Sequence, residues 1–395
     1  MSDRLFTPRF LALWVFAFIT FFSAFQLLPA IPFRILELGG SKTAAGLFLT
    51  VYTLASAFAA PLMGTLADHV GRRRMLVAVS VLFIGFSLLY GVVTWLPALL
   101  LIGVLHGSIW SGILSSASAI MSEFIPPSRR TQGLAFWGLA STAAIAVAPP
   151  VGMMVFRYGW LTLCIELAAL SVVMAVWSSL LPSPPEARPE SLPELRDAWD
   201  WNVIRATLSL TVVSFGYGGI TSYVAILSVE RGIEPKSLYF TVQGAAIIFI
   251  RLFTSHLGDR FGVKAILYPS LIAIPVAFAL LAGAHSREML VVSAILFGFG
   301  LGCAYPAFAN FIVTNTDERR RARTFGSIVW AFDTGIGTGS LVIGAIGDRY
   351  SLGTAFAVAA GISCLAIPIF AAGSRQLLRG TAVAAEQEHV ATTSR

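Results

Sequence analysis

The sequence predicts an all-α integral membrane protein, with twelve transmembrane helices arranged as two pseudo-symmetric six-helix bundles. Three observations carry that prediction. The 395-residue chain is 56% hydrophobic and only 12% charged, where a soluble domain carries about 25% charged residues. Apolar windows long enough for a hydrocarbon core, about 20 residues each as helix, follow one another from end to end with short polar breaks. A charged motif after the second window returns, in register, after the eighth.

The windows lie at approximately 9–32, 43–66, 75–95, 98–122, 132–156, 160–181, 203–229, 237–257, 264–284, 288–313, 324–346 and 352–373. Lipid offers no hydrogen bonds to a backbone, and the windows far exceed the roughly 10 residues of a barrel strand, so they are helices. The first follows only "MSDRLFTPR" and outruns a signal-peptide core, so it is expected to be a retained helix. Span 2 ends in "GTLADHVGRRR" (64–74), an acid, two glycines and three arginines between apolar stretches. Span 4 carries His106 and Trp110 four residues apart, and span 5 the small-residue run "GLASTAAIAVAPPVG", which suits close helix packing. Glu166 in span 6 reads as a structural or snorkelling acid. The Pro- and Arg-rich "LPSPPEARPESLPELRDAWD" (181–200) then breaks the apolar pattern and reads as a linker.

In the second half, span 7 carries Tyr217 and Thr221, span 8 Gln243 and Arg251, and span 10 Tyr305 and Asn310. Span 11 holds Asp333 ten residues beyond Arg323, about 15 Å into the membrane at 1.5 Å per residue. The polar tail "GTAVAAEQEHVATTSR" closes the chain and is expected to be mobile. Expected domain limits are 1–181, 182–202 (linker), 203–374 and 375–395 (tail). Cys164, Cys303 and Cys364 all fall inside spans and read as small buried residues, forming neither a disulfide framework nor a metal spacing.

The net charge of +7 is a topology signal. Placing the termini and even-numbered loops on one side gathers 19 of the 27 Lys and Arg there, which predicts cytoplasmic termini. No nucleic-acid motif accompanies the charge.

"APLMGTLADHVGRRRML" (60–76) recurs as "RLFTSHLGDRFGVKAIL" (251–267), with Asp68 over Asp259 and Gly71 over Gly262; "RTQGLAFW" (130–137) recurs as "RTFGSIVW" (323–330). Two matches at nearly one offset indicate equivalent six-helix halves, the architecture of a secondary transporter with its substrate site between the halves near the midplane.

"GTLADHVGRRR" resembles the signature between spans 2 and 3 of the major facilitator superfamily (MFS). "FDTGIGTG" in span 11 and "PPSRRTQGLAFWGLAS" leading into span 5 are similar to its bacterial branch of small efflux permeases, arabinose-efflux-like or drug-efflux-like. Over residues 9–373 the resemblance implies the MFS fold. It also implies a cytoplasmic gate or latch holding the outward-facing state, here Gly64, Asp68, Gly71, Arg72 and Arg73, with Asp259 and Gly262 in the repeat. Physically, Asp68 can sit against the positive N-terminus of a helix in the other half, and the arginines can hold helix carboxyl ends and lipid phosphates. Two departures stand out. Span 4 has Gly103 where drug/proton antiporters of the family carry an arginine. Span 5 keeps Pro149 and Gly152 of the antiporter motif, with alanines at several glycine positions.

An ionisable group inside a span is a functional candidate by default. Asp333 and His106 are the proton-coupling candidates, since each can take up and release a proton as a cavity changes sides. Gln26, Trp110, Tyr217, Thr221, Gln243, Arg251, Tyr305, Asn310 and Trp330 are the candidate substrate-cavity residues. Arg251 could hold an anionic group or pair with Asp333. A structural reading of Asp333, capping a broken helix at "DTGIGTG", stands beside the coupling one.

The expected function is secondary active export of small organic, amphipathic molecules from the cell by alternating access, with protons exchanged in antiport. The alternative is metabolite uptake by symport or facilitated diffusion. The expected place is the inner (plasma) membrane and the expected state a monomer, with no cofactor, no metal and no nucleic-acid partner. There is no nucleotide-binding fingerprint. The scattered histidines 69, 106, 256, 285 and 389 make no catalytic set, so the chain is not expected to be an enzyme.

Overall fold

The computed structural model describes residues 5–181, 201–261, 263–314 and 321–373, and within these the side chains of 127, 130, 131, 134, 135, 201–206, 252–261, 310, 313, 314 and 321–326 are not described. The expected linker and tail lie almost wholly outside the described residues. Twelve long helices succeed one another: α1 (Pro8–Glu37), α2 (Lys42–Val70), α3 (Arg72–Val92), α4 (Leu96–Phe124), α5 (Arg130–Phe156), α6 (Trp160–Leu180), α7 (Trp201–Glu230), α8 (Leu238–Phe261), α9 (Val263–Ala282), α10 (Arg287–Thr314), α11 (Arg321–Arg349) and α12 (Leu352–Cys364). A 3-10 turn, Pro127–Arg129, precedes α5. Eleven described stretches are long and apolar enough to cross a membrane, and the apolar part of α8 described with its side chains, Leu238–Arg251, is shorter.

Most prolines sit within helices without ending them, including Pro29 and Pro32 in α1, Pro61 in α2 and Pro149 and Pro150 in α5. α12 is the exception. Its regular hydrogen bonding breaks at Leu365 and helix resumes over 366–373, since Pro368 has no N–H to offer the carbonyl four residues before it.

α1 to α6 pack as one bundle and α7 to α12 as another, joined chiefly along α2 with α11 and α5 with α8. Small residues make these seams possible. A Cβ on Gly337 of α11 would stand 3.2 Å from Thr50 Cα of α2, and one on Gly244 of α8 would stand 2.8 Å from Ala146 Cα of α5. The small-residue run of span 5 therefore does pack against span 8. The Gly-rich stretch of span 11 does not break its helix: α11 is continuous, and its glycines are contact points for α7 and α2.

Aromatic side chains bind each bundle internally. The indole of Trp14 (α1) donates to Phe136 O (α5) at 2.9 Å, that of Trp177 (α6) to Ala12 O (α1) at 2.8 Å, and that of Trp160 (α6) to Tyr90 O (α3) at 2.7 Å. In the second bundle Arg231 closes the carboxyl end of α9, donating to the carbonyls of Leu281, Ala282 and Ala284 at 2.9, 2.7 and 2.6 Å. Removing this cap by Arg231→Ala is expected to cost about 2 kcal/mol, read as a lowered Tm of the purified protein in detergent, with Arg231→Lys restoring part of it.

Candidate functional site

Where the bundles meet near mid-helix, α1, α2, α4, α7 and α11 enclose a cavity lined by Phe25, Tyr52, Thr53, Ser56, Trp110, Tyr217, Thr221 and Asp333, among others. A second recess shares Phe25, Tyr217 and Thr221 and runs toward α5 and α8, past Ile145, Pro149, Phe240, Gln243 and Ile247. The two form one aromatic cleft drawn from both halves.

Asp333 is half-buried in its wall and is the one charged side chain among the residues lining either recess. No hydrogen bond or ion pair reaches its carboxylate among the described residues. The Tyr52 hydroxyl, on α2 of the other half, is buried without a hydrogen-bond partner and lies within electrostatic reach of Asp333. Tyr305 is within electrostatic reach of both Asp333 and Arg251, and its ring packs on Phe332 at 4.9 Å. Arg251 forms no ion pair with Asp333, and its Nε is buried without a partner. Of the two alternatives for Arg251, the pair with Asp333 is not made among the described residues.

The structure thus brings Trp110, Tyr217, Thr221, Gln243 and Asp333 into one cleft. Arg251 and Tyr305 line neither recess, and Gln26, His106 and Trp330 stand elsewhere. Gln26 points away from the cavity and donates to Glu166 Oε1 on α6 at 3.0 Å. His106 faces the interior of its own bundle, in a box of Phe83, Tyr52, Phe86 and Tyr90 rings at 4.5, 5.2, 5.3 and 5.9 Å, with Nδ1 3.3 Å from the Tyr90 hydroxyl. Trp330 packs edge-on against Phe58 with its Nε1 buried and unpartnered. Asn310 and Asp259 belong to helices, but their side chains lie outside the described residues, as does Gly262 altogether.

Sequence reasoning missed Tyr52, Thr53 and Ser56. Tyr52 and Ser56 are four apart and share a helix face, a polar stripe in an apolar span that could have marked α2 as cavity-lining.

At the end carrying the α2–α3 and α4–α5 loops, here the even-loop end, Arg72 Nε donates to Asp68 Oδ1 at 2.9 Å, and its Nη1 pairs with Glu123 of α4. Arg73 donates to the Ser179 carbonyl at the end of α6. Gly71 turns the chain at φ 99°, a conformation open mainly to glycine. Gly64 sits on the α4 side of α2, near Ser115. These residues tie α2, α3, α4 and α6 of one half together. The expected contact of Asp68 with a helix of the other half is not made among the described residues.

That kind of contact occurs at the opposite, odd-loop end. Asp348 at the end of α11 accepts from Lys42 N at 2.9 Å and from Thr43 N and Oγ1 at 2.8 and 2.6 Å, capping the N-terminus of α2. Lys42 Nζ pairs with Glu230 of α7 at 2.7 Å, and Tyr223 of α7 donates to Lys42 O at 2.7 Å. Deeper in, Thr50 Oγ1 donates to Gly337 O at 2.7 Å. Every hydrogen bond and ion pair joining the halves, among the described residues, lies between this end and mid-helix. Among the described residues none lies at the even-loop end. Among the described residues, no group of His, Cys, Asp and Glu is arranged to hold a metal ion.

Comparison with known proteins agrees with the fold. The profile of the Major Facilitator Superfamily matches residues 13–273 and 206–390. The chain is 25% identical to multidrug resistance protein MdtG of Klebsiella pneumoniae (strain 342) over 371 residues, covering 88% of this chain and 89% of that one. It is 28% identical to multidrug export protein EmrB of Haemophilus influenzae, but over 154 residues, spanning only 30% of that protein's length and 38% of this chain. Among solved structures, the nucleoside transporter NupG superposes with a TM-score of 0.73 at 17% identity, covering 93% of this chain and 99% of that one. With twelve helices in two bundles, a cleft between them and a family profile that spans nearly the whole length, the chain belongs to the major facilitator superfamily of membrane transporters.

Proposed function

We propose that this transporter exports small organic, amphipathic molecules in exchange for protons, by alternating access through the cleft between its halves. Asp333 carries this reading. It is a lone, unpaired carboxylate in an aromatic cavity shared by both bundles, twelve residues into α11, hence about 18 Å from the even-loop end of that helix. A carboxylate so placed can exchange a proton with whichever side the cavity faces, and the rings of Trp110, Tyr217 and Phe25 suit apolar cargo. The names of MdtG and EmrB support the outward direction.

In this reading the even-loop end faces the cytoplasm, as the excess of basic residues in those loops supports. The protein then sits in the inner membrane as a monomer, with bundles 1–181 and 203–374, a cytoplasmic linker at 182–202 and a cytoplasmic tail at 375–395. The structure has its odd-loop end fastened, the arrangement expected of a cytoplasm-facing state.

The test is proton flux in vesicles reconstituted with the purified protein, on outside addition of a panel of amphipathic cations, anions and neutral metabolites. Antiport is expected to make the lumen alkaline as cargo enters. Acidification would instead establish symport and the uptake reading. Cargo movement with no proton movement would establish facilitated diffusion.

A further inference from the structure

Away from the cavity, Gln26 of α1 and Glu166 of α6 meet inside the first bundle. Gln26 Nε2 donates to Glu166 Oε1 at 3.0 Å. The other atom of each group, Gln26 Oε1 and Glu166 Oε2, is buried and has no hydrogen-bond partner. An amide oxygen only accepts, and so does every oxygen of an ionised carboxylate. The ionised pair therefore leaves two buried acceptors with no donor between them, an arrangement that carries the full desolvation cost of both. One proton on Glu166 Oε2 supplies the missing donor, and Gln26 Oε1 is the unpartnered acceptor of the same pair.

The surroundings hold the two groups in place. A Cβ on Gly152 of α5 would stand 2.8 Å from both Gln26 Cα and Cβ, so the α5 backbone closes directly over Gln26. Glu166 lies six residues beyond Trp160 at the start of α6, about 9 Å into the span. No cation pairs with it among the described residues. Toward the same end of the packed helices, the titratable groups are Cys164 on α6 itself, Tyr90 on α3, and Arg34 on α1, which is engaged with Glu37 at 3.5 Å. At this end α5 brings Arg157, just beyond its last residue.

We propose that Glu166 is a proton-binding site: it stands as the neutral acid, shares its proton with Gln26 Oε1, and so straps α6 to α1. The strap acts on the cavity wall, since Phe25 and Pro29 lie beside Gln26 on the same helix and line the cleft. Loss of the proton leaves a buried anion held by one N–H and loosens the seating of α1. The inference stands apart from any role of Asp333 and from the identity of the cargo.

Infrared spectroscopy of the protein in lipid tests it. The probe is the carbonyl stretch of a protonated carboxylic acid, recorded at neutral pH in Asp333→Asn and in Asp333→Asn/Glu166→Gln, so that Asp333 contributes to neither spectrum. The acid band is expected in the first and its loss in the second. Gln26→Leu in the Asp333→Asn background is expected to shift the same band by removing its partner, a measurement that stands even if Glu166→Gln does not fold. Loss of a carboxylate stretch on Glu166→Gln, or spectra without an acid band that responds to either substitution, would overturn the proposal in favour of an ionised Glu166 bridged to Gln26 by a water.

Discussion

Asp333→Asn is expected to bring cargo-driven proton flux in reconstituted vesicles down to that of protein-free vesicles, while binding of the same cargo persists. Asn keeps the shape of the side chain and one hydrogen-bonding oxygen but cannot carry a proton, so the substitution separates proton transfer from the lining of the cavity. The neighbours of Asp333 make the effect large. Among the described residues no other charged side chain lines the cleft, and Arg251 forms no ion pair that would mark Asp333 as half of a structural couple. A structural acid at this depth would be neutralised by a fixed partner. Here the Tyr52 hydroxyl, across the seam on the other half, is buried without a partner and lies within electrostatic reach of Asp333. Transport at equal rates in wild type and Asp333→Asn would reassign Asp333 to packing and pass the coupling role to another residue.

The helical spans, their number and the duplication were legible because they follow from solvent: twenty apolar residues in a row have one stable form in lipid. Which face of each span turns inward was much less legible. In water an apolar stripe points to the core. In lipid the outside is as apolar as the inside, so the sequence of α1 does not show that Phe25 lines the cavity while Gln26 beside it turns to α6. The same ambiguity hid His106, which shares α4 with cavity-lining Trp110 yet faces the Phe83, Phe86 and Tyr90 rings. Asp333 was legible because a charge at mid-span has so few tolerable settings. Asp348 was not, since an acid at the end of a span looks like any solvated loop residue until the N-terminus of α2 is seen resting on it.

Asp348→Ala is accordingly expected to release the odd-loop end, shifting the protein toward forms open on that side. The first three N–H groups of a helix have no partner within it. In α2 those of Lys42 and Thr43 are taken by Asp348 of the other half, and that of Ala44 by Ser41 Oγ at 3.1 Å. An N-terminal cap is worth about 1 kcal/mol, and a carboxylate at the positive end of a helix adds up to about 1 kcal/mol when exposed, as Asp348 is. Losing about 2 kcal/mol changes the ratio of closed to open forms roughly thirty-fold, since 1.4 kcal/mol is a factor of ten. Spin labels at Glu37→Cys and Tyr350→Cys, in a Cys364→Ser background, would report the change as a longer distance across that end. Lys42 is gripped at three points, by Asp348 at its N–H, Tyr223 at its carbonyl and Glu230 at its ammonium group. Adding Glu230→Gln to Asp348→Ala is therefore expected to lengthen the distance further, whereas Glu230→Gln alone, which removes one exposed ion pair, is expected to shift it little. An unchanged distribution in Asp348→Ala would place the closure instead in the close backbone packing of α2 on α11 at Gly337, which side-chain removal at Asp348 leaves untouched.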